Sequence, residues 1–339
     1  MKRPTRRLLE RQRRASARAI RIAQRHSLRV RRKRARRARG KTRPISIELK
    51  LPEQLRFHGD FEHQKNFGNF VQEAALALHS GQRLVLDLAP IQRLHPCGLL
   101  LLMGHLRFWS QHFPGKVTGK YPSENLVEQM LQSVGLLEQL GLSSRIPTIT
   151  HNDVTRWHYF TGARADMQEF GPFMDEVRGI IGQEGQSFLY DAIAEAITNV
   201  RQHAYVGHGE RTPWWMFATV SPKWIIVAIF DMGASIPRTI LEKPGVRDFV
   251  QKMITGRKRR DAWLIGEALE GRSRTRLPFR GKGLPEMLEA TTKLAGSSLG
   301  IFSRFGSFVH DGDSNSAFSS SLICPISGTL VLWRLKRPE

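Results

Sequence analysis

The sequence has little cysteine and no long apolar run, and these two shortages exclude several classes of protein. Its 339 residues include two cysteines, Cys97 and Cys324, which are far apart and match no metal-ligand spacing. Their number and separation are not those of a disulfide framework, so we expect reduced thiols and a cytoplasmic location. No apolar run approaches the roughly 18 residues that a membrane helix needs, so no transmembrane segment is expected.

Acidic residues are nearly absent from the first 43 residues, which carry most of the charge of the chain. This segment has 20 Lys and Arg against one acid, Glu10, a net charge of +19 out of +23 for the whole sequence. Its apolar residues are too sparse to bury a face against this repulsion, so we expect residues 1–44 to be an arm that is disordered or becomes helical only on a polyanion. Three interpretations stay open: contact with RNA or DNA phosphates through residues 2–43, a solvated tail, or an import signal.

Residues 45–149 alternate strand and helix patterns, which is typical of a small α/β domain. Two segments have the pattern of strands and three have helical periodicity: 45–49 and 83–88, then 68–79, 99–109 and 126–140.

The apolar run 84–88, a short connection and a turn that opens a Leu-rich helix resemble the STAS domain of anti-anti-sigma factors. That family carries a phosphorylatable serine in this turn, where the present sequence has His95-Pro96-Cys97-Gly98. Pro96 has no hydroxyl, so the resemblance implies the scaffold without the phosphorylation switch. We therefore expect a STAS-like α/β domain that packs but performs no chemistry.

Residues 150–339 carry patterns that predict an α+β two-layer sandwich, with helices on one face of a mainly antiparallel sheet. Helical patterns occupy 167–183, 186–205 and 284–294, and strand patterns occupy 214–220, 224–230, 298–303, 307–310 and 329–335.

The first of four motifs in this second half lies on a predicted helix. Glu195, Asn199 and, less closely, His203 are four residues apart and so share one helix face. A carboxylate at such a face can orient a water, and an amide oxygen can bind a hard cation such as Mg²⁺.

The other three motifs lie at the ends of strands and at the start of a helix. Asp231 ends an apolar strand and can accept a hydrogen bond from an adenine amino group, while Gly233 lets the backbone pass close to the base. Gly281-Lys282-Gly283 opens a helix whose N-terminal N–H groups and positive charge suit phosphates. Thr329 begins the last apolar strand, where its hydroxyl can reach a base or a water bound to it.

The order and separation of these motifs resemble the Bergerat-fold ATPases, the superfamily of gyrase, histidine kinases and anti-sigma-factor kinases. The stretch from Glu195 to Ala204 is especially similar to anti-sigma-factor kinases. The resemblance implies one role for each matching position: Glu195 as general base, Asn199 as Mg²⁺ ligand, Asp231 and Gly233 as adenine contacts, Gly281 and Gly283 as phosphate-binding lid, and Thr329 as far-strand contact. Ser235 and Pro285 stand where many members of the family have glycine.

The implied function is that of an ATP-binding regulatory protein, either a Mg²⁺-dependent ATPase or a Ser/Thr protein kinase that acts on a separate protein partner, with Lys282 assisting at the phosphates. The alternative is a non-catalytic, nucleotide-gated interaction module with a nucleic-acid-binding arm. The resemblance also implies a role in bacterial partner switching and leaves a homodimer open.

Overall fold

The computed structural model describes residues 45–59, 61–162, 170–205, 213–242, 246, 247, 250, 254, 256–270 and 283–338. The predicted arm, residues 1–44, lies outside the described residues. Along the rest of the chain, residues 47–339 form one compact unit.

The N-terminal half contains two small sheets and two long helices. Its elements are β1 (Ser46–Lys50), β2 (Gln54–Leu55), α1 (Phe61–His79), β3 (Arg83–Asp87), β4 (Arg93–Leu94), α2 (Pro96–His112), β5 (Val117–Lys120), α3 (Asn125–Ser133) and α4 (Leu136–Gln139). One sheet has the order β1-β3-β5, with β3 and β5 parallel, and β2 pairs in parallel with β4.

The strands and helices predicted in this half are present, but all three helices differ in their bounds, and strands β2, β4 and β5 were not predicted. The helix predicted over 99–109 extends over Pro96–His112. The helix predicted over 68–79 begins seven residues earlier, at Phe61. The stretch predicted as helical over 126–140 is divided into α3 and α4 at Gly135, whose φ of 70° is left-handed and interrupts an α-helix.

The C-terminal half is organised around one antiparallel sheet of five described strands. Its elements are α5 (Asn152–Thr155), β6 (Trp157–Gly162), α6 (Gly171–Asn199), a π-helical turn (Val200–Ala204), β7 (Trp214–Val220), β8 (Trp224–Asp231), α7 (Ile236–Leu241), α8 (Arg257–Glu270), α9 (Gly283–Thr292), β9 (Ser298–Asp311) and β10 (Ser316–Lys336). The strand order is β6-β7-β8-β10-β9, and each neighbouring pair is antiparallel.

Three details of this half differ from the pattern in the sequence. The two helices predicted over 167–183 and 186–205 are one span that is interrupted at Gly182 (φ 75°, ψ 175°) and ends in the π-helical turn. The two strands predicted over 298–310 are one strand, because Arg304 takes a positive φ of 53° without ending the pairing of β9 with β10. Strand β6, helices α5, α7 and α8, and the part of β10 before Thr329 were not predicted.

The five-stranded sheet is buried on both faces. Successive residues of a strand point to opposite sides, and in β7 and β8 the residues on both sides are buried or nearly so. Along β8, Val227 and Ile229 belong to a core with α6 and α9, whereas Ala228 and Phe230 belong to a core with α1 and α2. The helices of the N-terminal half therefore cover the face that the sequence pattern had left open.

Within the described part of the chain, no helix has both the length and the apolar character required to cross a membrane.

Gly104 lies where α2 meets the sheet, and its replacement tests that contact. A Cβ at this position would overlap Phe230 and lie 3.0 Å from Met232 Sδ. We expect Gly104→Ala to lower the free energy of unfolding by about 1–3 kcal/mol, as overpacking of a core does, measured by denaturant unfolding.

Gly179→Ala is the matched control, because Gly179 is an exposed glycine of α6 with open space around its Cβ position. That variant should be stabilised by up to about 1 kcal/mol through helix propensity. Equal effects of the two substitutions would contradict tight packing of α2 on β8.

Candidate functional site

The last two turns of α6 place Glu195 and Asn199 on one side of the helix. Both side chains are half-buried, whereas Ala196 and Ile197 between them are buried in the core shared with the sheet. The helix therefore holds its apolar face against β7 and β8 and turns the carboxylate and the amide towards the neighbouring helix, as the four-residue spacing predicts.

Gly283, the first residue of α9, lies directly against this pair. A Cβ built on Gly283 would overlap Glu195 Oε1 and lie 2.5 Å from Glu195 Cδ and 3.0 Å from Asn199 Nδ2. A side chain at 283 would have to displace the ends of the Glu195 and Asn199 side chains, so the backbone of α9 begins close to both groups. The N-terminus of α9, where helical N–H groups have no partner within the helix, thus begins beside Glu195 and Asn199.

The carboxylates of Glu195 and Glu286 concentrate negative charge in this cluster. Burial raises the pKa of Glu195, the nearby carboxylate of Glu286 raises it further, and the adjacent amide of Asn199 partly offsets the two. The nitrogen Asn199 Nδ2 is itself buried and makes no hydrogen bond of good geometry to any described group. Two carboxylates and an incompletely bonded amide therefore share a small volume at a helix N-terminus.

A second polar group crosses the sheet as a row of paired residues. Trp214 pairs with Asp231, Asp231 with Thr329, and Thr329 with Ser303, so the row runs over β7, β8, β10 and β9. Paired residues of antiparallel strands project to the same face. This is the face covered by α6, because Ile229, two residues before Asp231, packs in that core.

Asp231 is the ionisable centre of the row and is 4 % exposed. Its carboxylate accepts the N–H of Gly233 at 2.8 Å and that of Thr329, yet burial still raises its pKa to about 7. Beside it, Trp214 is 2 % exposed, and its Nε1 has no hydrogen-bond partner among the described residues. The row thus contains a buried acceptor and an unsatisfied buried donor, which are the groups that a heterocyclic base can pair with.

The hydroxyls at the far end of the row are bonded to one another and to the loop before α7. Ser303 Oγ lies 3.1 Å from Thr329 Oγ1, donates to the carbonyl of Gly328 and accepts the N–H of Ile236. Gly328 has a φ of 81°, and a Cβ there would overlap the carbonyl oxygen of Asp231. Only glycine permits this crossing of β10 past the end of β8.

The loop after β8 connects the two polar groups. A Cβ on Gly233 would overlap the carbonyl oxygen of Ala204, the last residue of the π-helical turn. The hydroxyl of Tyr205 donates to the carbonyl of Pro213 at 2.7 Å and accepts the N–H of Met232 at 3.0 Å. The chain segment that carries Glu195 and Asn199 therefore ends in contact with the segment that carries Asp231.

The structure brings six of the nine predicted site residues into these two connected groups: Glu195, Asn199, Gly283, Asp231, Gly233 and Thr329. His203 is exposed in the π-helical turn, where the α-helical spacing used to predict its position no longer applies. Gly281 and Lys282 lie outside the described residues.

Several residues of the site were not predicted from the sequence. Trp214, Ser303 and Tyr205 join the group around Asp231, and Glu286 adds charge near Glu195. In the sequence, Glu286 is marked only by its position one turn after Gly283. Strand pairing brings Trp214 and Ser303 to the site, and the π-helical turn brings Tyr205.

Models of protein families and the sequences of curated proteins give no match to this chain. The function of the site is therefore inferred from its geometry.

The buried carboxyl of Asp231 predicts a pH dependence of stability. Its pKa is about 7 in the folded protein and about 3.9 in an unfolded chain, so the folded state binds this proton more tightly. The resulting stabilisation is full below about pH 4 and is lost as the pH rises to about 7. Relative to Asp231→Asn, the free energy of unfolding of the wild type should fall by up to about 4 kcal/mol over this range and stay constant above it.

Denaturant unfolding without nucleotide or Mg²⁺ at several pH values measures this difference. Asp313→Asn is the control, since Asp313 is exposed in the turn between β9 and β10. Parallel pH profiles for the wild type and Asp231→Asn would show that Asp231 is not the buried acid described here.

Proposed function

We propose that this chain binds ATP together with Mg²⁺ on the α6 side of its five-stranded sheet, as a regulatory protein. The observation that supports this most strongly is the contact of Gly283 with Glu195 and Asn199. It places a helix N-terminus, a carboxylate and an amide within one small volume. These are the groups that phosphates and a hard cation require.

The residues around the two polar groups fit such a ligand. The amide oxygen of Asn199 would bind Mg²⁺, and the triphosphate would lie at the N-terminus of α9, next to Gly281 and Lys282. The carboxylate of Asp231 would accept a hydrogen bond from the amino group of adenine. Trp214 Nε1 and the Thr329 hydroxyl would hydrogen-bond to the remaining polar edge of the base or to a water bound there. Gly233 lets this loop lie against Ala204 and donates its N–H to the carboxylate of Asp231.

On this proposal, Glu195 acts on the oxygen that attacks the terminal phosphate. A carboxylate whose pKa is raised by burial accepts a proton more readily than an exposed one, which suits a general base. Bound Mg²⁺ would offset the phosphate charge, and Lys282 would add a positive charge. The acceptor is water in an ATPase or a Ser or Thr hydroxyl of a separate regulatory protein in a kinase.

Isothermal titration of purified full-length protein with ATP, with and without Mg²⁺, tests the proposal. We expect Asp231→Asn to weaken binding about tenfold or more in both conditions, because it alters the base-pairing group. Asn199→Ala should remove the part of the affinity that depends on Mg²⁺. Asn69→Ala, an exposed asparagine of α1, is the matched control and should bind as the wild type does.

Glu195→Gln separates binding from turnover in the same series. If Glu195 is the base, this variant binds ATP but loses phosphate release or partner phosphorylation by about 10²-fold or more. Wild-type protein that binds ATP and shows no turnover would leave the nucleotide-gated module as the function. Folded wild-type protein that does not bind ATP would contradict the proposal.

A second candidate function, nucleic-acid binding, is favoured by the charge of residues 1–43. Twenty basic residues against one acid make this segment suited to a phosphate backbone. Binding to RNA or DNA oligonucleotides, followed by fluorescence anisotropy, should weaken by about 10³-fold or more between about 50 mM and 200 mM salt. Deletion of residues 2–43 should abolish it, and unchanged affinity after the deletion would assign the binding to the rest of the chain.

A further inference from the structure

Two histidines and a cysteine converge in the N-terminal half, away from the proposed nucleotide site. His58 follows β2, and His95 and Cys97 lie at the start of α2. Cys97 Sγ is 3.1 Å from His58 Nδ1 and 3.0 Å from His95 Nδ1. The three ligand atoms all lie within 4.8 Å of one another.

The backbone holds this cluster in place from both sides. The N–H of His95 donates to the carbonyl of Leu55 at 3.1 Å, and a Cβ on Gly98 would overlap the same carbonyl oxygen. The start of α2 is therefore fixed against β2, the strand that leads into His58. Cys97 is buried, whereas both imidazoles are partly exposed. The sulfur therefore lies in the core, and solvent reaches the cluster at the imidazoles.

We propose that His58, His95 and Cys97 bind one zinc ion through the two Nδ1 atoms and Sγ, with the fourth position open to water or a small ligand. Two imidazoles and a thiolate are ligands that zinc prefers, and three protein ligands with one open position is a known zinc arrangement. The thiolate disfavours Mg²⁺ and Ca²⁺, which take oxygen ligands. The site is independent of the proposed nucleotide site.

The distances require a small expansion of the cluster. Tetrahedral zinc with bonds of about 2.3 Å to sulfur and about 2.0–2.1 Å to nitrogen separates the sulfur from each nitrogen by about 3.5 Å. The metal-free separations are 3.1 and 3.0 Å. The two imidazole centroids are 4.2 Å apart with the rings inclined at 63°, so rotation of the side chains can supply the difference.

The positions of the protons in the cluster indicate that Arg56 disfavours zinc binding. The Cys97 thiol loses its proton to solvent as the sulfur–zinc bond forms. His95 Nδ1 accepts the N–H of Cys97, so it carries no proton, and its lone pair has to leave this hydrogen bond to bind zinc. Arg56 Nη2 lies 3.3 Å from His58 Nε2 and can only donate, which places the proton of His58 on Nδ1.

Arg56 therefore has to release His58 before zinc can bind. Its guanidinium lies over Gly59, and a Cβ there would be 2.8 Å from Arg56 Nη2. Its positive charge also opposes a cation, together with that of Arg334, which acts on His58. Removal of the Arg56 side chain should consequently strengthen zinc binding, an effect that no merely structural role of the cluster would produce.

Titration of metal-free full-length protein with Co²⁺ as a spectroscopic probe, followed by displacement with Zn²⁺, tests the site. We expect one equivalent of Co²⁺ with a sulfur-to-cobalt charge-transfer band, displacement by one equivalent of Zn²⁺, and none by Mg²⁺. His58→Ala and Cys97→Ser should each weaken zinc binding by about tenfold or more, as loss of a ligand group does. Arg56→Gln should strengthen it severalfold.

The controls separate this site from other metal-binding groups. Cys324→Ser and His112→Gln, the latter on an exposed histidine of α2, should leave the spectrum and the stoichiometry unchanged. His58→Ala, on a partly exposed side chain, serves if Cys97→Ser does not fold. No cobalt–sulfur band in the wild type, a band abolished by Cys324→Ser, or wild-type affinity in His58→Ala would each overturn the proposal. ATP binding should be the same in all these variants.

Discussion

The two-residue alternation along β8 is the constraint on which the rest of the structure depends. Val227, Ile229 and Asp231 face α6, whereas Ala228 and Phe230 face α2. A shift of one residue would place the carboxylate among the apolar side chains of the N-terminal half and move Phe230 into the polar row. The burial of both faces therefore fixes the register, and the register fixes where the acid lies.

Close backbone approaches at three glycines bring the other parts of the site together. Gly283 brings α9 against Glu195 and Asn199, Gly233 brings the loop after β8 against Ala204, and Gly328 brings β10 across the end of β8. The contacts of Gly233 and Gly328 are with backbone carbonyl oxygens and exclude a side chain at those two positions, whereas that of Gly283 is with the Glu195 and Asn199 side chains. The two polar groups are thus connected by close backbone contacts together with the hydroxyl of Tyr205.

Local periodicity predicted the parts of the site that a single helix determines. Glu195 and Asn199 share a face because they are four residues apart, and the long strands β7 and β8 were predicted to within a residue. His203 was placed by the same spacing, which does not hold through a π-helical turn. Helix α8 was missed because its sequence begins with four basic residues, Arg257-Lys258-Arg259-Arg260, before the apolar pattern appears.

Contacts between distant segments could not be predicted from one sequence. The row from Trp214 to Ser303 exists only through strand register, and Cys97 meets His58 only because β2 and α2 are fixed together. For the same reason, the spacing of the cysteines gave no sign of a metal site. The expectation that the N-terminal half performs no chemistry rested on the missing hydroxyl of Pro96, whereas the histidines and the cysteine of the cluster come together only in the folded chain.

The π-helical turn Val200–Ala204 also sets a length. A turn of this kind contains about one residue more than an α-helical turn, and the chain passes from it directly to Tyr205. The hydroxyl of Tyr205 accepts the N–H of Met232, so the turn links the segment that carries Glu195 and Asn199 to the segment that carries Asp231. The length of this turn therefore sets how many residues separate Asn199 from Tyr205, and so how the two polar groups are spaced along the chain.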